Sequence, residues 1–375
     1  MSSIERYANQ QILDLVAYVP GKPIDETARE LGMQAEDIVK LASNENPMGP
    51  SPKAVEAMQK AAMVANIYPD GASFRLRTAV AKLNHVAFDE TIIGSGSSEV
   101  IELLCHSFLN KDAEVIAAKH AFSMYPIMAK LFGAKYIEVD NKADWTHDLQ
   151  GFLDAITERT RLIFITIPTN PIGTVVSQEE VDHFMAKVPD SVVVCFDEAY
   201  HEFADNPPDT IKFVREGRNV AVLRTFSKVY GLAGLRVGYG LAPERICTLL
   251  HKSRTPFNAN VMAQEAALAA LGDEEHLKRT IDNNKREMKR YERAFQEMGL
   301  EWIPSQGNFV LVKVGVGREI FDAMLRQGVI VRPQGSYHLP EWIRISIGTP
   351  AENDRCLSVF RDVMETAKAK AKAKA

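Results

Sequence analysis

The run Thr225-Phe-Ser-Lys228-Val-Tyr-Gly-Leu-Ala-Gly-Leu-Arg236 sets one lysine among a threonine, a serine, two glycines and an arginine. Small donors beside a guanidinium suit an anion, and a lysine held next to them can offer its amine to a carbonyl. A lone lysine is ordinarily a solvated surface group. This one follows the apolar run 220–224, which reads as a strand. A second apolar run, 192–196, delivers Asp197-Glu198-Ala199-Tyr200 at its carboxyl end, where open α/β sheets bind ligands. A third, from Ile163, ends in Pro168-Thr-Asn170-Pro171, whose two prolines fix the backbone around a carboxamide. The fourth piece is Gly94-Ser-Gly-Ser97-Ser98-Glu99, a small-residue loop that opens a helix. Each piece alone has a plain reading as a helix cap, a turn or a solvated side chain.

Together the four strand ends supply a lysine for an aldehyde, a carboxylate for a pyridinium nitrogen and donors for a phenolic oxygen. They also supply a cradle for a phosphate. Those are the requirements of pyridoxal 5′-phosphate (PLP). Other chemistries find less support. Gly94–Glu99 opens like a dinucleotide fingerprint but has Glu99 where the third glycine would let the helix pack closely. No P-loop or G-x-S-x-G elbow occurs, and His201-Glu202 is followed by Asp205 instead of a second histidine. No metal site is expected.

Seven short apolar runs position these residues, at 91–93, 114–117, 135–139, 162–167, 192–196, 220–224 and 238–241. They alternate with helical patterns, as in a mostly parallel sheet sandwiched by helices. Past Thr255 the pattern changes to helices at 259–271 and 274–298, then strands at 308–314, 329–332 and 342–347. The expected fold is α/β: a large domain over 46–272 and a smaller α+β domain over 273–375, joined by an N-terminal arm, 1–45. In Trp342-Ile-Arg-Ile-Ser-Ile347, alternation puts the isoleucines on one face of a strand and Arg344 on the other, free to face a cleft. Arg332 ends the preceding run as a second cation, and a guanidinium pair suits carboxylate or phosphate.

The 375 residues carry 44 Lys+Arg against 49 Asp+Glu, a formal charge of −5 with no footprint for nucleic acid or an anionic membrane. Cys105, Cys195, Cys247 and Cys356 lie far apart, which reads as reduced core thiols of a cytoplasmic protein. No signal-peptide pattern or long apolar span is evident.

Across nearly its whole length the sequence resembles the fold-type I PLP-dependent aminotransferases, and within them the histidinol-phosphate aminotransferase family. The matching segments are Tyr18-Val-Pro-Gly21, Ala42-Ser-Asn-Glu-Asn-Pro47, Tyr68-Pro-Asp70, Gly94–Glu99, Asn170-Pro171, Asp197-Glu-Ala-Tyr200, Ser227-Lys228 with Gly231–Arg236, and Arg344-Ile-Ser-Ile-Gly348. His120-Ala-Phe122-Ser-Met-Tyr125 departs from the family, in which Pro-Thr commonly precedes the aromatic residue.

The resemblance implies that Lys228 bonds the cofactor and then moves the substrate proton, while Asp197 keeps the pyridine nitrogen protonated. Asn170 and Tyr200 would donate to the phenolate oxygen. Backbone N–H groups of Ser97 and Ser98, with Thr225, Ser227 and Arg236, would hold the phosphate. Phe122 would stack on the ring, with Tyr125 the other aromatic candidate. Tyr68 would reach the phosphate of the neighbouring subunit, so a homodimer with shared active sites is implied. Arg344 would hold the glutamate carboxylate, Arg332, Arg344 and Tyr18 of the partner subunit would meet a substrate phosphate, and Asn46 would lie on the substrate side. The implied reaction moves an amino group from a small-molecule donor, glutamate, to imidazole acetol phosphate. Aromatic amino acids are the close alternative; a PLP decarboxylase and a PLP-binding transcription regulator are more distant.

Overall fold

The computed structural model describes residues 4–16 and 21–374. Seven strands form one sheet in the spatial order Thr91–Gly94, Gly238–Leu241, Val220–Thr225, Val193–Asp197, Thr160–Thr166, Glu114–Ala118, Lys135–Val139. Six run parallel, and Gly238–Leu241 is antiparallel to both of its neighbours. Strands covered on both faces need apolar side chains at nearly every position. The central strand Val193–Asp197 is buried throughout, whereas the edge strand Lys135–Val139 is partly exposed.

A second, antiparallel sheet has the order Arg332–Gln334, Leu339–Ser346, Phe309–Lys313, Trp302–Ile303. Its core holds Ile343, Ile345 and Ile347 with Val310, Val312 and Tyr291, so the alternation around Arg344 sorts as expected. The expected strand 329–332 is two elements. Val329–Ile330 pairs in parallel with Val39–Lys40, and Arg332–Gln334 pairs with Leu339–Ser346. The chain changes partner at Val331, which no periodicity in four residues could signal.

One helix, Glu274–Glu297, serves both cores. Leu277 and Ile281 pack against the large one, while Met288, Tyr291 and Phe295 belong to the small one. Its start is capped by Asp273, which accepts from the His276 N–H and from Ser51 Oγ at 2.6 Å. Among the described residues, no helix is long and apolar enough to cross a membrane.

A close backbone approach lies directly under the Gly/Ser loop. A Cβ on Gly238 would come within 2.4 Å of Ser97 N and 2.9 Å of Gly96 C. Only a glycine strand lets the start of helix Ser97–Phe108 settle onto the sheet. Gly238→Ala is therefore expected to cost about 1–3 kcal/mol by overpacking and to weaken binding of any anion at that helix start. Urea unfolding and phosphate-ester binding measure both, and an unchanged midpoint contradicts the close approach.

Candidate active site

The parallel strands bring the chemistry to one edge. Asp197 is the last residue of its strand, Lys228 follows Val220–Thr225, Asn170 follows Thr160–Thr166, and Ser97 opens the helix after Thr91–Gly94. They line a cleft of about 510 Å³ together with Ser98, Phe122, Tyr200, Thr225, Ser227 and Arg236. The small sheet adds Arg332 and Arg344, whose Cα atoms are cross-strand partners, and the helical turn Gly335–Tyr337 between its strands adds Tyr337.

Asp197 is 3% exposed, and burial pushes its carboxyl up to about 6 against the opposing effect of a 2.7 Å hydrogen bond from Tyr125 to Oδ2. Burial also pulls the Lys228 amine down to about 8, aided by the positive charges of Arg344 and Arg236. Lys228 Nζ lies 3.4 Å from the Ser43 carbonyl and 5.6 Å from the centre of the Tyr200 ring. Perturbed groups of opposite charge in one cleft mark a reactive centre.

A polar chain joins the two sheets above them. Asn44 Nδ2 donates to Tyr200 Oη at 3.0 Å, and Asn170 Nδ2 donates to the same oxygen at 3.2 Å. Arg344 donates to Asn170 Oδ1 at 2.6 Å and to the Ala42 carbonyl at 2.8 Å, which fixes the orientation of the amide. Tyr200 thus accepts two bonds and keeps its own proton to donate.

The residues fit PLP. Gly96, at φ +83°, caps the Ser97–Phe108 helix, whose first N–H groups have no partner within the helix. A Cβ on Gly96 would reach within 2.6 Å of Arg236 Nη2, so the loop and guanidinium are close enough to share one anion. Thr225 Oγ1 accepts from the Ser227 N–H at 3.1 Å, which holds both hydroxyl residues at that cradle. Glu99, the residue that spoils the dinucleotide fingerprint, closes the loop from inside: its Oε2 accepts from the Ser95 N–H and from Asn258 Nδ2.

Several expected residues fall elsewhere. Asn46 does not line the cleft; its amide donates to the Val229 carbonyl at 2.8 Å and to Thr280 at 3.3 Å. Asn44 takes that place in the same motif, in the left-handed conformation at φ 53° that asparagine tolerates. Phe122 forms part of the cleft wall, whereas Tyr125 is fully buried behind it with its ring stacked on Phe164. Tyr68 is 78% exposed, stacked on Phe257, and outside the cleft of its own chain. Tyr18 lies outside the described residues.

Residues 36–360 match the family model described as aminotransferase class I and II. A histidinol-phosphate aminotransferase of Akkermansia muciniphila is 71% identical over 362 residues, spanning 96% of this chain and 100% of that protein. The chain belongs to the histidinol-phosphate aminotransferase family. The homologue of that name from Halalkalibacterium halodurans is 45% identical, covering 94% of this chain and 96% of its own. The solved structure of the Sinorhizobium meliloti histidinol-phosphate aminotransferase, a complex with PLP, superposes with a TM-score of 0.88. It is 27% identical and covers 98% of this chain and 99% of its own. The protein is a PLP-dependent aminotransferase of fold type I.

A lysine lowered to about 8 is half neutral at that pH, and only the neutral amine attacks an aldehyde. Covalent capture of PLP by cofactor-free enzyme should accelerate between pH 7 and 9, with a midpoint near 8. Arg344→Gln removes a positive neighbour and should move the midpoint upward. Stopped-flow absorbance follows both, and an unaltered enzyme with its midpoint near the ordinary 10.5 contradicts the assignment.

Proposed function

We propose that the enzyme transfers the amino group of glutamate to imidazole acetol phosphate, giving 2-oxoglutarate and histidinol phosphate in histidine biosynthesis. The observation that carries the reading is the Arg332/Arg344 pair in the same cleft as Lys228, supported by relatives named for this activity. A carboxylate-bearing donor and a phosphate-bearing acceptor must share one site in turn, and guanidinium groups serve both anions.

PLP supplies the electron sink that lets a proton leave the substrate α-carbon. Lys228 would take that proton on Nζ and give it up again; with its amine lowered to about 8, it can do both near neutral pH. Asp197 holds a proton on the pyridine nitrogen. Tyr200, whose oxygen accepts from Asn44 and Asn170, has its own O–H left to donate and would offer it to the phenolic oxygen, with Asn170 holding the tyrosine in place. Ser97, Ser98, Thr225, Ser227 and Arg236 bind the phosphate, and Phe122 covers one face of the ring.

We take 46–272 as the PLP-binding domain and 273–375 with the arm 1–45 as the domain carrying the two arginines. The pairing of Val39–Lys40 with Val329–Ile330 supports that grouping. Met63, Ile67, Tyr68 and Phe257 form exposed apolar surface, which supports a homodimer in which Tyr68 reaches the partner's phosphate site. The four buried, unpaired thiols suit a cytoplasmic enzyme.

Half-reactions of the PLP form with histidinol phosphate, histidinol, glutamate and phenylalanine test the substrate. Histidinol phosphate should give the highest kcat/KM; a preference for phenylalanine rejects the histidine-pathway assignment and leaves the aminotransferase intact. Arg344→Lys keeps the charge but loses the fork, with an expected loss of about 2–4 kcal/mol in transition-state binding of anionic substrates. For the dimer, mixing inactive Lys228→Ala with a severely impaired Tyr68 variant should regenerate activity in hybrids. No recovery after demonstrated subunit exchange counts against shared sites.

A further inference from the structure

The hydroxyl of Tyr125 has a place that packing alone does not require. The residue sits in helix Met124–Leu131, fully buried, with its ring 4.4 Å from that of Phe164 and tilted by only 5°. A phenylalanine would fill that slot equally well. The phenol oxygen instead lies 2.7 Å from Asp197 Oδ2 and 2.8 Å from Thr166 Oγ1. An ionised carboxylate can only accept, so the phenol proton goes to Asp197 and the Thr166 hydroxyl proton goes to the phenol. The result is a one-way line of donors, Thr166 to Tyr125 to Asp197, in which each bond polarises the next.

The line is anchored from behind. The Thr166 carbonyl faces His147 Nε2 at 2.9 Å and accepts from Thr169 Oγ1 at 3.2 Å, and both partners are buried. On the other carboxylate oxygen, Oδ1, the Ala199 N–H makes a longer contact of 3.3 Å. One oxygen of Asp197 is therefore held by the phenol, and the other retains most of its accepting capacity. Besides Tyr125, the titratable groups whose charges bear on this carboxyl are Cys195 on its own strand, Glu198, Tyr200 and Lys228. Burial pushes the carboxyl up to about 6, and Tyr125 is the strongest influence pulling it back.

We infer that Tyr125 is a positioning residue for Asp197: it fixes Oδ2 from within the large domain, so that Oδ1 is the oxygen that meets the pyridine nitrogen. The inference rests on the assignment of Asp197 to that nitrogen. It gives Tyr125 a role distinct from ring stacking, which the buried position of Tyr125 denies it, and assigns Thr166 as its support.

The test is the pH dependence of PLP binding to cofactor-free enzyme, with the glutamate half-reaction alongside. In the unaltered enzyme, binding should weaken as Asp197 takes up a proton on the acid side. Tyr125→Phe keeps the stacked ring and removes the donor, so this limb should move up by about one pH unit. At neutral pH kcat should fall about tenfold with KM for glutamate within about twofold, as expected when only the electron sink is weakened. Thr166→Val should move the limb in the same direction by less, and Thr166→Ser should restore it. Phe164→Leu disturbs the packing but leaves the hydroxyl, and should leave the limb in place. If Tyr125→Phe leaves the limb unmoved while Asp197→Asn abolishes it, the inference fails and the Asp197 assignment stands. If Asp197→Asn itself leaves both affinity and limb unchanged, the assignment of Asp197 fails and the inference with it. A limb that shifts equally in Tyr125→Phe and Phe164→Leu reduces Tyr125 to packing and also overturns the proposal.

Discussion

Two groups of opposite charge, a carboxylate and an amine, are taken out of water at the carboxyl ends of adjacent parallel strands. Asp197 and Lys228 are both shifted toward neutrality, Asp197 upward to about 6 and Lys228 downward to about 8, with burial the largest cause in each case. Isolated buried charges are costly, so the surrounding protein must supply partners and exclude water. The sheet does this by placing Val193–Asp197 and Val220–Thr225 side by side, with Asp197 in register with Leu223. Tyr125 then completes the shell around the carboxylate. The same shifts make the pair useful: an amine poised near neutral pH can exchange protons in both directions, and a carboxylate in a dry pocket interacts strongly with a ring nitrogen.

The small sheet answers to the same centre. Arg344 lowers the Lys228 amine through its charge and, through Asn170, orients the amide that donates to Tyr200. Ser346, two residues along the same strand, donates to Asn44 Oδ1 at 2.8 Å and accepts from the Asn44 N–H. Arg344, which would bind the substrate, is therefore wired to the residues that would set the electronics of the cofactor. Displacing the small sheet would disturb Tyr200 and Lys228 as well as the anion site.

Much of this was legible in the residues, and the exceptions have physical causes. Apolar runs between turns located all seven strands of the large sheet, with 135–139 and 238–241 matching the observed limits, because doubly covered strands tolerate few polar residues. Strict alternation oriented Arg344. The strands Val39–Lys40 and Trp302–Ile303 are too short to carry a period and exist only because a partner strand is nearby. At the site, the motif 42–47 points to Asn46, whereas Asn44 lines the cleft; its left-handed backbone is braced by two hydrogen bonds with Ser346, some 300 residues away in the chain. Tyr125 gave one usable signal, since a tyrosine in an apolar stretch needs a partner for its hydroxyl. Its partner is a carboxylate that only the fold brings near.

The account turns on Lys228 being the residue that bonds PLP. Borohydride reduction of the PLP-loaded enzyme, followed by trypsin and mass spectrometry, addresses it directly. Trypsin cuts after Arg224 but not after a modified lysine, so the pyridoxyl group should appear on a peptide running from Thr225 to Arg236, at Lys228. A pyridoxyl group on any other lysine, with this peptide recovered cut and unmodified after Lys228, would contradict the account.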